Sequence, residues 1–162
     1  MSNLRKYEVY AEKIKLFNGL TPEEVSDVLH HGSKLEFRAG DSIFHKGQLG
    51  SNLFIVLNGT VNITIDRQVI GKCRPGDAFG EMSVLNHRPH CASADAATNV
   101  KLFTLDERQI NEVLEKRVAV RLLLNIIHVL SSHLENANLL NSQNYKLLQA
   151  SENEKEEASS SQ

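Results

Sequence analysis

The segment Gly76-Asp77-Ala78-Phe79-Gly80-Glu81-Met82-Ser83-Val84-Leu85 gathers the residue types from which an anion site is built. Two glycines four apart permit a tight turn and a close backbone approach, and Glu81 to Leu85 can then form one helical turn with outward-facing backbone N–H groups. Such groups hold a phosphate or carboxylate largely independently of the side chains. In a β protein the same Gly-x-x-x-Gly spacing also fits a bulge followed by a turn. Downstream, His87 and His90 make a His-x-x-His, but no further His or carboxylate has the spacing to complete a metal set. The chain has no nucleophile elbow, P-loop or dinucleotide fingerprint, so neither catalysis nor a metal is expected. Cys73 and Cys91, the two cysteines, are too few for a disulfide framework and are expected as buried thiols in a reducing compartment.

The elements that must position this segment change character along the chain. Tyr7, Tyr10, Ile14 and Phe17 recur at spacings of three and four and predict an amphipathic helix. Thr21-Pro22-Glu23-Glu24 opens a second helix, with Thr21 and Glu24 as a reciprocal capping pair and Gly32 as its stop. Between Lys34 and Asp106 short apolar runs alternate with glycines, the punctuation of a closed roll or jelly roll that protects its edges, and Asn58-Gly59 reads as a tight hairpin turn. From Asp106 onward glycine and proline vanish; a helix opens at Asp106-Glu107-Arg108 and a long one follows. In the long helix Val120, Leu123, Ile127, Leu130, Leu134, Ala137, Asn141, Asn144 and Leu148 fall on a heptad seam. That seam fits a helix packed on its own domain or a two-stranded coiled coil between protomers, and Asn141 within it would favour the dimer in register.

The chain has 162 residues, 41% of them hydrophobic, and a formal charge of -2, which is ordinary for one globular domain and unlike the basic surplus of nucleic-acid binders. Four Glu against one Lys after Ala150 give that stretch -3 and leave +1 for the rest, so no strong field recruits a charged partner. No apolar run is long enough for a membrane span or a signal peptide, and the expected location is the cytoplasm. Three regions are expected: a β-roll with flanking helices over 1–116, a long capping and dimerisation helix over 117–150, and a disordered acidic tail over 151–162.

The run Phe79-Gly80-Glu81-Met82-Ser83-Val84-Leu85, then Pro89, then Ala92-Ser93-Ala94-Asp95-Ala96, resembles the phosphate-binding cassette of cyclic nucleotide-binding domains. Arg38-Ala39-Gly40-Asp41, His45-Lys46-Gly47 and Leu53-Phe54-Ile55-Val56-Leu57-Asn58-Gly59-Thr60-Val61 are similar to the family's upstream signature, so the resemblance covers roughly residues 10–140. It implies a mainly β fold: a β-roll of the double-stranded β-helix jelly-roll kind, with N-terminal helices and a long C-terminal helix that caps one cyclic nucleotide. It implies ligand contacts at Phe79, Gly80, Glu81, Met82, Ser83, His90, Cys91 and Ala92. Gly80 would allow close approach, Glu81 would accept from the ribose 2′-hydroxyl, and the N–H groups of Met82 and Ser83 would face the cyclic phosphate. Ala137, Asn138 and Asn141 on the long helix are candidate base contacts. The expected ligand is a cyclic nucleotide, cAMP ahead of cGMP, although asparagine amides suit either purine. No cofactor is implied.

One position departs from the family pattern. The residue after the cassette proline is an arginine in the family, gripping the phosphate with its planar guanidinium, and here it is His90. Losing a charge-assisted contact costs about 1.5–3 kcal/mol. Two readings follow. His90 is a surrogate phosphate ligand that becomes cationic beside the anion, so that binding tightens as pH falls; or it marks a pocket that has lost its nucleotide, leaving a protein-interaction and dimerisation module. In the first reading the chain is a stand-alone, non-enzymatic sensor acting through its C-terminal helix, a homodimer or an unidentified protein effector, with no nucleic acid and no membrane as partner.

Overall fold

The structure, a computed structural model, describes residues 2–114 and 118–160. Helix α1 spans Ser2–Lys13, and a 3-10 turn over Lys15–Phe17 follows where one continuous helix was expected. Ile14 breaks the helix by taking an extended backbone, φ -94° and ψ 112°, and the redirected turn buries Ile14, Leu16 and Phe17. Helix α2, Pro22–His31, starts as its sequence predicts: Glu24 N donates to Thr21 Oγ1 at 3.3 Å and Thr21 N donates to Glu24 Oε2 at 2.8 Å.

Eight strands follow: β1 Ser33–Phe37, β2 Ser42–Phe44, β3 Asn52–Asn58, β4 Val61–Ile65, β5 Gln68–Cys73, β6 Ala78–Phe79, β7 Ser93–Ala96 and β8 Val100–Asp106. They form two antiparallel four-stranded sheets, ordered β1-β8-β3-β6 and β2-β7-β4-β5. The expected β-roll is therefore present. Its core is built from both sheets, with Phe44, Phe54, Val56, Val61, Cys73, Phe79, Ala94, Ala96, Val100 and Leu102 in one buried cluster.

Asn58-Gly59 does not close a hairpin, because β3 and β4 belong to different sheets. The turn instead carries the chain from one sheet to the other; Gly59 has φ +86°, and a Cβ there would lie 2.3 Å from Asn99 O. The hairpin lies one connection later, between β4 and β5, where Asp66 and Arg67 take φ 50° and 69°. Two consecutive left-handed residues give the turn whose twist matches its strands.

Helix α3 is Glu81–Asn86, α4 is Glu107–Leu114 and α5 is Ala119–Ser160. The chain divides into two compact units, Met1–Ile126 and Ile127–Gln162, so the division falls inside α5 rather than at its start. Within the first unit α5 buries Leu122, Asn125 and Ile126. Asn125 Nδ2 donates to Leu16 O and Asn18 O at 2.9 Å each, and Arg121 Nη1 donates to Gly19 O. The heptad seam lies on other faces: Val120, Leu123, Ile127 and Leu134 are exposed, as are Ala137, Asn141 and Asn144, and Leu130 is half-buried. The side chain of Leu148 lies outside the described residues. The acidic segment expected to be disordered is helical as far as Ser160, since its Glu, Lys and Ala residues favour a helix and it contains no Gly or Pro to stop one. Residues 115–117, 161 and 162 lie outside the described residues.

Candidate functional site

The Gly76 to Leu85 segment forms a strand, a turn and a short helix. Ala78 and Phe79 pair as β6 with Ile55 and Phe54 of β3, and the Phe79 ring stacks on Phe54 with centroids 5.2 Å apart. Gly80 then turns the chain with φ +81° and serves as the N-cap of α3, and a Cβ there would sit 2.8 Å from Asn52 O. Only glycine meets both conditions. The expected helical turn after Gly80 is present, but the two glycines bracket the strand β6 rather than a turn, because β3 pairs with Ala78 and Phe79.

Glu81 opens α3 and is 5% exposed, a carboxylate at the positive end of a helix. Burying a carboxylate is costly unless it is partnered, and Glu81 does take part in a polar interaction. Met82 and Leu85 are exposed, whereas Ser83 and Val84 are buried. Ser83 Oγ lies 2.8 Å from Gly50 O and 2.7 Å from Arg88 O, so one hydroxyl proton ties α3 to the turn before β3 and to the chain leaving α3. The Ser83 N–H, expected to face a phosphate, instead donates to Gly80 O at 3.3 Å, because the first turn of α3 closes on its own cap. Helix α3 ends at His87, with φ 52°, whose Nδ1 is 3.4 Å from Glu107 Oε2 at the start of α4.

His90 is 8% exposed. Its ring stacks on Phe44, centroids 3.7 Å apart and planes 7° off parallel. The ring edge faces Gly50 so closely that a Cβ there would lie 2.0 Å from Nε2. Its backbone is bonded both ways to the preceding turn, His90 N donating to Gln48 O at 2.9 Å and Gly47 N donating to His90 O at 2.8 Å. Burial pushes the imidazole pKa below its ordinary value, which favours the neutral ring and works against a standing cation at this position. Arg88 is exposed, as expected. Phe44 and Gly50 were missed as site residues; one reads as an ordinary strand residue and the other as loop punctuation.

Cys91 is exposed and Cys73 buried, so the expectation of two buried thiols holds for Cys73 alone. Cys91 lies in the bend before β7, between the buried His90 and Ala92, and faces outward. Burial above all, then the Asp77 and Glu81 carboxylates, push the Cys73 thiol up to about 12, opposed by Lys15. Ala92 is buried. Phe79, Gly80, Glu81, Met82, Ser83, His90, Cys91 and Ala92 all lie in the first unit, where Ser83 and His90 meet at Gly50 and Phe44 lies between the His90 and Phe79 rings. Ala137, Asn138 and Asn141 lie on the part of α5 in the second unit, where their side chains are exposed. Among the described residues no group of three or more His, Cys, Asp or Glu is placed to hold a metal ion, and no helix is long and apolar enough to cross a membrane.

Comparison with known proteins agrees with this geometry. The family model described as "Cyclic nucleotide-binding domain" matches residues 34–117. A cAMP-dependent protein kinase regulatory subunit from Hypocrea atroviridis is 30% identical over 110 residues, covering 68% of this chain and 24% of the relative. The crystal structure of the catabolite activator protein of Thermus thermophilus aligns with a TM-score of 0.69 and 31% identity, over 77% of this chain and 60% of that one. A cyclic nucleotide-binding domain from Methylobacillus flagellatus KT shares the fold, with a TM-score of 0.73 and 23% identity over 83% of this chain and 82% of that one. The chain spans about a quarter of the length of the kinase regulatory subunit it matches.

Proposed function

The chain belongs to the cyclic nucleotide-binding domain family, and from that premise we propose that it is a regulatory sensor in which α3 and its flanks hold a cyclic nucleotide and α5 carries the output. The observation that supports this most is Glu81: a carboxylate 5% exposed, at the N-terminus of a short helix behind a left-handed glycine, a group that can accept from a ribose hydroxyl. Gly80, held to glycine by its left-handed φ and by Asn52 O and the Phe54 ring beside it, fixes where α3 begins. The first N–H groups of α3, with Met82 next to Glu81, supply the anion side of the cradle, and Cys91 and Ala92 line the strand entry behind His90.

The ligand we propose is cAMP ahead of cGMP, with Ala137, Asn138 and Asn141 as candidate base contacts. Output runs through a homodimer of α5 or through a protein effector. The apolar residues Val120, Leu123, Ile127 and Leu134, exposed at heptad spacing, support the dimer. One observation favours a second reading, a scaffold without nucleotide: the family arginine is replaced by a histidine that packs inward on Phe44.

Calorimetric titration of the full chain with cAMP and cGMP decides between the two. Saturable one-site binding that is lost in Glu81→Ala is expected. No heat with either nucleotide at millimolar concentration would leave the scaffold.

A further inference from the structure

We propose that His90 is a positioning residue of the nucleotide cassette, whose ring locks the segment after α3 onto β2 and the Gly47 to Gly50 turn only while it is uncharged, so that acid loosens the cassette. This rests on the cyclic nucleotide reading for its effect on ligand, and on packing alone for its effect on the protein.

The geometry is that of a wedge. One face of the imidazole lies flat on Phe44 at 3.7 Å, its edge fills the space left by the missing Gly50 side chain, and two backbone hydrogen bonds fix the segment on either side. Phe44 itself belongs to the core cluster of the roll, with its ring 5.7 Å from Phe54 and 6.0 Å from Phe79, so the wedge reaches the strand that leads into Gly80. A charged imidazole in this seat loses hydration that an apolar ring and a glycine cannot replace.

The charged groups on the surrounding elements are engaged elsewhere or exposed. After Phe44 on the β2 side, His45 Nδ1 lies 3.3 Å from Ser42 Oγ, and Lys46 Nζ pairs with Asp66 at 3.2 Å. Along α3 and the chain leaving it, Glu81 is buried with an interaction of its own, His87 faces Glu107, and Arg88 is exposed. The adjacent Cys91 is also exposed. Between Gly47 and Gly50 there is no titratable side chain. The sign follows: the unfolded chain binds this proton more readily than the folded one, so stability is full above the ordinary histidine pKa of about 6.5 and falls as pH drops below it. A surrogate phosphate ligand would have the opposite sign.

The test uses the full chain as wild type and as His90→Phe, which keeps the stack and removes the titration. Melting without ligand and cAMP titration are run from pH 8 to pH 5.5. The wild type is expected to lose stability and affinity below pH 6.5 relative to His90→Phe, the affinity by at most about tenfold per pH unit for one linked proton. If cAMP binds neither form at any pH, the nucleotide reading falls, and the melting difference still decides the wedge. If His90→Phe does not fold, Phe44→Leu replaces it: the His90 ring, followed by NMR, is expected to titrate closer to 6.5 than in the wild type. Tighter binding in acid, identical acid profiles in the two proteins, or a wild-type ring titrating above 6.5 overturns the proposal.

Discussion

Gly50→Ala isolates the contact on which the His90 seat depends. The backbone of Gly50 lies outside the left-handed region, so the methyl group of alanine is the main perturbation there. That methyl would sit 2.0 Å from His90 Nε2, 2.7 Å from Cε1 and 2.9 Å from Cδ2, where ordinary contact starts at 3.4 Å. The ring would have to retreat by about 1.4 Å, sliding or tilting out of its 3.7 Å stack on Phe44. Overpacking of this kind costs about 1–3 kcal/mol. For a chain of this length each kcal/mol lowers the melting temperature by about 2–4 °C. Thermal and urea unfolding of wild type, Gly50→Ala, His90→Ala and the double variant close a double-mutant cycle. With the ring gone the alanine should cost nothing, or stabilise by about 0.4–1 kcal/mol through the unfolded chain. A Gly50→Ala protein as stable as wild type, or an additive cycle, would refute the packing argument.

Two further perturbations probe the rest of the scaffold. Asn125→Ala removes an amide that donates to Leu16 O and Asn18 O and leaves the buried Leu16 carbonyl without that donor, so a loss of about 1–3 kcal/mol is expected by urea unfolding, against nearly none for the exposed Asn141→Ala. With a thiol-reactive dye at neutral pH, one cysteine per chain should react in the folded protein and two after denaturation. Cys91 is exposed, while Cys73 is buried with its thiol held up to about 12; labelling of Cys73 in the folded protein would contradict that placement.

The parts of the fold that could be read from sequence are those set by local chemistry. The Thr21 to Glu24 cap, the left-handed turn at Gly80 and the short helix behind it need no more than residue types at fixed spacing. The errors lie where a distant contact decides. Asn58-Gly59 has hairpin residues, yet β8 claims β3 and the chain crosses to the other sheet instead. The two-residue strand β6 exists only because Phe54 and Ile55 pair with it, and β5, whose first three residues are exposed, carries little apolar signal of its own. The cassette positions were legible through their resemblance to a family. The inward packing of His90 was not, since it depends on Phe44 and Gly50, 46 and 40 residues earlier. In α5 the heptad spacing was visible, but not that the helix buries Leu122, Asn125 and Ile126 in the first unit and leaves the seam residues Val120, Leu123, Ile127 and Leu134 exposed.

The position of β8 in its sheet has a consequence for the order in which this protein is made. β8 lies between β1 and β3, pairing Ser33 with Thr104 on one side and Leu53 with Leu105 on the other. On a ribosome, β1 therefore waits for a partner until some seventy further residues have been translated, and β3 has only the two residues of β6 until then. A nascent chain halted before Val100 should be open to protease along β1, and one extended past Asp106 should close in a single step.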